Sequence, residues 1–181
     1  IYTPSRVRRT MTKGITVTSA IVTISGSTAE AVAGTMLEEQ VPLSLDILNR
    51  EVLLVYAVDM NPNAPDAVAG TNTATMCSLS STSRTTIGGI NNTNVLAASE
   101  KAIRAGGFID GGVGFQDNSP ETPTANALDY IGIISTNDFF VQVQGFQNVN
   151  TKTVDWRLWT ARAKVSADIY AALVQGETLS A

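Results

Sequence analysis

The hydrophobic and polar positions of this chain repeat mostly with a period of two. In "ITVTSAIVTI" (15–24), Ile15 and Val17 alternate with Thr16 and Thr18. After Ser19 and Ala20 the phase shifts, so that Val22 and Ile24 alternate with Ile21 and Thr23. This predicts a long strand with a bulge, ended by Gly26. "STAEAVAGTMLEEQ" (27–40) offers Ser27 or Thr28 as a helix cap, but Gly34 and Thr35 in its middle favour a strand. "VPLSLDIL" (41–48) leads to a turn at Asn49. "REVLLVYAVDM" (50–60) is apolar on both sides, with Val52, Leu54, Tyr56 and Val58 on one face and Leu53, Val55 and Ala57 on the other. That marks a strand in the middle of a layered structure.

From Asn61 to Asn94 the chain is rich in Asn, Pro, Gly, Ser and Thr, which predicts short strands at 74–80 and 84–90 between turns. Residues 95–105 fit either a three-turn helix or a strand. Residues 106–127 read as a long, exposed Gly/Pro loop. Strands follow at 129–135 and 137–146, and Asn148 to Asn150 suggests a hairpin turn.

Beyond it, Trp159, Ala161, Ala163, Val165, Ala167 and Ile169 alternate with Thr160, Arg162, Lys164, Ser166 and Asp168. A helix cannot keep a two-residue period on one face. The segment therefore predicts a strand of about a dozen residues, pairing back on 138–146. Trp156 and Trp159 fall on opposite faces of it. One should be core, and either is a candidate interface anchor. Many short strands without a strand–helix–strand rhythm predict an all-β fold: a two-sheet sandwich, specifically a single jelly roll of about eight strands. Residues 14–181 would form this one domain, behind a short N-terminal arm at 1–13.

Composition sharpens the reading. The chain has 181 residues, of which 15% are charged, against about 25% in an average protein. Hydroxyl and amide residues take the place of charge, with 22 Thr, 14 Ser and 12 Asn. A neutral polar surface suits a secreted or an assembled protein, because a surface buried against a neighbour tolerates few unpaired charges. The net charge of −4 is unevenly spread. Residues 1–13 carry Arg6, Arg8, Arg9 and Lys13 and no acid, while the remainder carries twice as many acids as bases. A basic arm on an acidic body fits contact either with nucleic acid or with a neighbouring subunit.

Candidate chemistry is sparse. The absence of histidine removes imidazole catalysis and imidazole metal sites. The single cysteine, Cys77, reads as a small buried hydrophobe. Asp59, Asn61 and Asn63 have the alternating spacing of a calcium loop, but Ala64 and Gly70 stand where that loop needs Gly and Glu. "GGVGFQD" (111–117) lacks the third glycine of a dinucleotide fingerprint. Asp110, Asp117, Glu121 and Asp129 are the acids available to a hydrolase. "NNT" at Asn91 is a glycosylation sequon, relevant only in a eukaryotic secretory pathway. No apolar run approaches the roughly 20 residues of a spanning helix, and no leader pattern is visible.

The layout, with "TPSRVRRTMTKG" as a basic arm and "WRLWTARAKVSAD" as a late strand, resembles that of small viral coat proteins with a single jelly roll. The resemblance is architectural and covers the whole chain. It implies a shell subunit in a virion that assembles with copies of itself, its arm facing inward toward nucleic acid. Neither an enzyme activity, a cofactor nor a membrane is expected. The alternative is an extracellular β-sandwich that binds a glycan or a surface protein through the 61–94 and 106–127 loops, with a tryptophan as sugar platform. A hydrolase using the loop acids is the third reading.

Overall fold

A computed structural model describes residues 14–107, 114–119 and 129–180. Ten strands lie among them: β1 (Ile15–Val17), β2 (Val22–Ala29), β3 (Leu37–Pro42), β4 (Glu51–Pro62), β5 (Thr73–Ser80), β6 (Val95–Arg104), β7 (Gly114–Asn118), β8 (Gly132–Ile134), β9 (Asp138–Phe146) and β10 (Thr153–Val165). One helix, α1 (Ala167–Ser180), follows.

The connectivity is that of a long hairpin folded over itself. Four antiparallel pairs are nested about residues 81–94: β5 with β6, β4 with β8, β3 with β9 and β2 with β10. Pairing of β4 with β10 and of β5 with β9 then folds this hairpin into two sheets. Sheet A has the order β2-β10-β4-β8, with β1 also on β10; sheet B has the order β3-β9-β5-β6-β7. Eight strands in this arrangement form a jelly roll, and β1 and β7 are additions to its edges.

The main core lies between the sheets. It includes Val55, Val58, Met60, Leu158 and Trp156 from sheet A, and Cys77, Leu79, Phe139, Val141 and Val143 from sheet B. A second core, of Ile15, Val52, Leu54, Ala163 and Val165, covers the outer face of sheet A. Ile169, Tyr170 and Leu173 of α1 pack on it. The double-sided apolar pattern of 50–60 thus has a direct cause, since β4 touches a core on each side. The sides differ from a plain alternation because the β4–β10 register shifts between Trp159 and Thr160. Tyr56 is the extra residue, and Val58 therefore joins Leu53 and Val55 on the inner face.

Several expectations are corrected. The 148–150 segment is no hairpin turn: β9 lies in sheet B and β10 in sheet A, so the chain crosses between layers there. The alternation of β10 ends at Val165, and Ala167 and Ile169 belong to α1. Gly26 does not end β2 but lies inside it. A Cβ there would meet the Trp156 ring at 2.4 Å, so the strand needs glycine opposite the indole. The predicted bulge at Ser19–Ala20 is a full break between β1 and β2, where the N–H groups of Thr18 and Ser19 both donate to Arg162 O. Residues 84–90 form no strand, and 95–105 resolves as β6. Within the expected loop 106–127, Gly114–Asn118 is an edge strand on β6.

Candidate assembly surfaces

Connections between the strands gather at the two ends of the sandwich. At one end, residues 30–36, 63–72 and 147–152 are held by a knot of buried charge. The Glu30 carboxylate accepts from Gly145 N (2.7 Å) and Lys152 N (2.8 Å). The Lys152 ammonium donates to Asp66 Oδ1 at 2.6 Å and to Ala64 O at 3.3 Å. Asp66 Oδ2 accepts from the backbone N–H groups of Val149 and Asn150. The Lys152 bond, with those N–H donors, lowers the Asp66 carboxyl to about 2. Buried charges survive only when paired in this way. Val32 and Val149 stand exposed on the connections so held.

At the other end, Arg162 donates to Leu43 O (3.0 Å), Ser44 O (3.2 Å) and Glu51 Oε2 (2.6 Å), clamping the 43–50 connection against β10. A short 3-10 turn, Ile47–Asn49, is capped by Asp46, and Arg50 follows in the left-handed region. Leu48 is 92% exposed here and Ile90, on the 81–94 connection, 87%. Side chains this open offer apolar area for a partner surface to bury.

The 81–94 connection also folds back over the outer face of sheet B. That face is polar. Gln142 is fully buried, accepting from Ser78 Oγ (2.8 Å) and donating to Ser80 Oγ and Glu38 Oε2 (both 2.9 Å). The strap closes the set: Gly88 N donates to Ser78 Oγ, while Ser83 Oγ and Arg84 N donate to Glu38.

The candidate residues named from the sequence fare differently. Arg6, Arg8, Arg9 and Lys13 lie outside the described residues. Trp156 is core rather than an interface anchor: it is 5% exposed, meets Phe139 edge-on at 5.5 Å, and donates Nε1–H to Thr28 Oγ1 at 3.0 Å. Thr28 in turn donates to Glu39. Trp159 faces the opposite way and is half-buried, with the Arg157 guanidinium 5.9 Å from its ring centre.

The calcium spacing does not make a loop. Asp59 and Asn61 sit in extended β4, and the Lys101 ammonium donates to Asn61 Oδ1 at 3.0 Å, placing a cation where another cation would bind. Asn63 follows the strand, its N–H donating to Thr153 O. No cluster of three acids or thiols suited to a metal occurs among the described residues. Cys77 is buried, and burial pushes its thiol up to about 12. Asp117 and Asp129 are exposed, and Asp110 and Glu121 lie outside the described residues. No helix of the described residues is long and apolar enough to cross a membrane.

Glu30, Asp66 and Lys152 carry no signal in the sequence. Each looks like a solvated surface charge, and only the folding of three distant connections to one end joins them.

The chain matches no family model and no curated protein. Among solved structures it is similar to one titled Desmodium yellow mottle tymovirus, at 12% identity, covering 80% of this chain and 91% of that one, with a TM-score of 0.27.

Proposed function

We propose that this chain is a structural subunit that assembles with copies of itself into a shell, most simply the coat of a virus. The observation that carries the reading is the distribution of exposed apolar side chains on the jelly roll. Val32, Val149, Leu48 and Ile90 stand on connections at its two ends, where the largely buried Lys152–Asp66 pair pins one end and the half-exposed Arg162–Glu51 pair the other. A rigid, pre-formed contact loses little entropy on docking. The low charge of the chain suits faces that become buried against neighbours.

In this reading the chain's partner is itself and its location is the virion. Residues 1–13, with Arg6, Arg8, Arg9 and Lys13, reach nucleic acid or an adjoining subunit. The binding-module alternative loses support at Trp159, because a guanidinium already occupies one face of the only tryptophan outside the core.

Negative-stain imaging of purified full-length protein, before and after nuclease, tests the proposal. Closed particles of uniform size are expected. Nucleic acid released from them, with binding that weakens steeply in salt, would assign the arm its role. Dispersed single subunits at all concentrations would overturn the shell.

A further inference from the structure

Of the four sheet edges, three carry the features that discourage pairing with another chain. β3 presents Glu38 and Glu39 and ends at Pro42; β7 is a five-residue strand with Asp117 exposed; β8 has only three residues. β2, "VTISGSTA", is eight residues long and has neither a charge nor a proline. Among the described residues it pairs with β10 alone.

Its free groups can be assigned. Glu30 N donates to Lys152 O, which continues the β2–β10 register by one position. In an antiparallel ladder the residues that exchange hydrogen bonds alternate. The even residues of β2 therefore bond to β10. Thr23, Ser25, Ser27 and Ala29 turn their N–H and C=O groups outward.

We infer that this edge pairs with β2 of a second copy, antiparallel and centred on Ser25, so that sheet A runs on across a twofold axis. The inference names the partner and contact of the self-assembly reading and rests on it. Three features fit a second copy. In that register Ser25 faces Ser25 and Thr23 faces Ser27, all from the outward-bonding set, giving roughly six backbone hydrogen bonds. The facing side chains are hydroxyls, a favourable cross-strand pairing, and no like charges meet. Ile21 and Val22, 47% and 51% exposed, come to lie opposite Ala29 and Thr28 of the other copy and gain cover. A twofold contact of this kind is self-complementary by construction.

Cysteine cross-linking of the full chain tests the register. Residues facing each other in a hydrogen-bonded pair have Cα atoms about 5.5 Å apart, within disulfide range. Buried Cys77 does not compete. Under copper-phenanthroline oxidation, Ser25→Cys is expected to give a covalent dimer of twice the 19.1 kDa chain. Thr23→Cys alone should not, and Thr23→Cys with Ser27→Cys should.

Ser25→Glu supplies a variant that keeps the fold, since Ser25 lies opposite Arg157 in the monomer. It sets two carboxylates against each other at the axis, and should weaken the dimer about tenfold or more. Absence of the Ser25→Cys cross-link, or equal cross-linking of Thr23→Cys, overturns the edge contact. If particles still form, the shell reading survives that failure. Cross-linked dimers that never grow further keep the edge and overturn the shell.

Discussion

Helix α1 lies on sheet A through Ile169, Tyr170 and Leu173, whereas residues 81–94 lie on sheet B through hydrogen bonds to Ser78 and Glu38, which in turn hold the buried Gln142 amide. Both covers bury the outer face of a β-sheet, with opposite chemistry. Apolar contact is non-directional, so a helix can shift slightly and keep most of it. Hydrogen bonds to a buried amide are directional, and losing one partner leaves the others unsatisfied at full cost. The strands announce which cover they require. β4 is apolar on both sides, while β5 and β9 place Ser78, Ser80 and Gln142 opposite the core-facing Cys77, Leu79, Val141 and Val143.

The largest effect is expected where the directional cover is broken. Gln142→Leu keeps the side-chain volume but removes the acceptor of Ser78 and a donor to Ser80 and Glu38. It should cost about 2–4 kcal/mol, read by urea unfolding, with faster amide exchange at Arg84 and Gly88. A loss under about 0.5 kcal/mol would mean that the strap is held by something else. Leu173→Ala tests the other cover. Leu173 is only partly buried, so about 1–2 kcal/mol is expected. Faster exchange should be confined to α1.

A smaller effect separates the helix from the charged knot at Lys152 by pH. At the far end of α1, Ser135 donates N–H and Oγ–H to Glu177. Burial raises the Glu177 carboxyl above its ordinary 4.5, and the nearby Asp138 charge adds to this. A raised folded-state pKa means that the folded chain holds this proton longer. The helix contact is then strongest below 4.5 and weakens as pH rises through the folded value. Glu177→Gln should flatten that slope in thermal melts, and an unchanged slope would exclude Glu177 as its source. Asp66 has the opposite sign, being lowered from 3.8 to about 2. Its contribution is full above 3.8 and is lost as pH falls through about 2. Asp66→Asn should remove that acid-side loss while leaving α1 exchange unaltered.

The sequence made the strands legible and left their partners hidden. A run apolar on both sides located β4, turn residues on either side located β5, and period-two alternation located β9 and β10. It failed beyond Val165, where Ala167 and Ile169 continue the alternation by chance on the first turn of a helix. It also failed at 148–150, since a turn-forming Asn marks a bend without saying which layer the chain enters next. Jelly-roll pairing joins strands as far apart as β2 and β10, and local pattern carries no such information. Of the candidate site, the two tryptophans were correctly set on opposite faces. The knot of Glu30, Asp66 and Lys152 was invisible, as were the polar bonds under the strap, because each depends on residues brought together from across the chain.

Mass photometry of the purified full chain in low salt tests the self-assembly account most directly. A narrow population of closed particles containing many copies is expected, in equilibrium with small even-numbered assemblies. A single species at 19.1 kDa across the whole concentration range would contradict it.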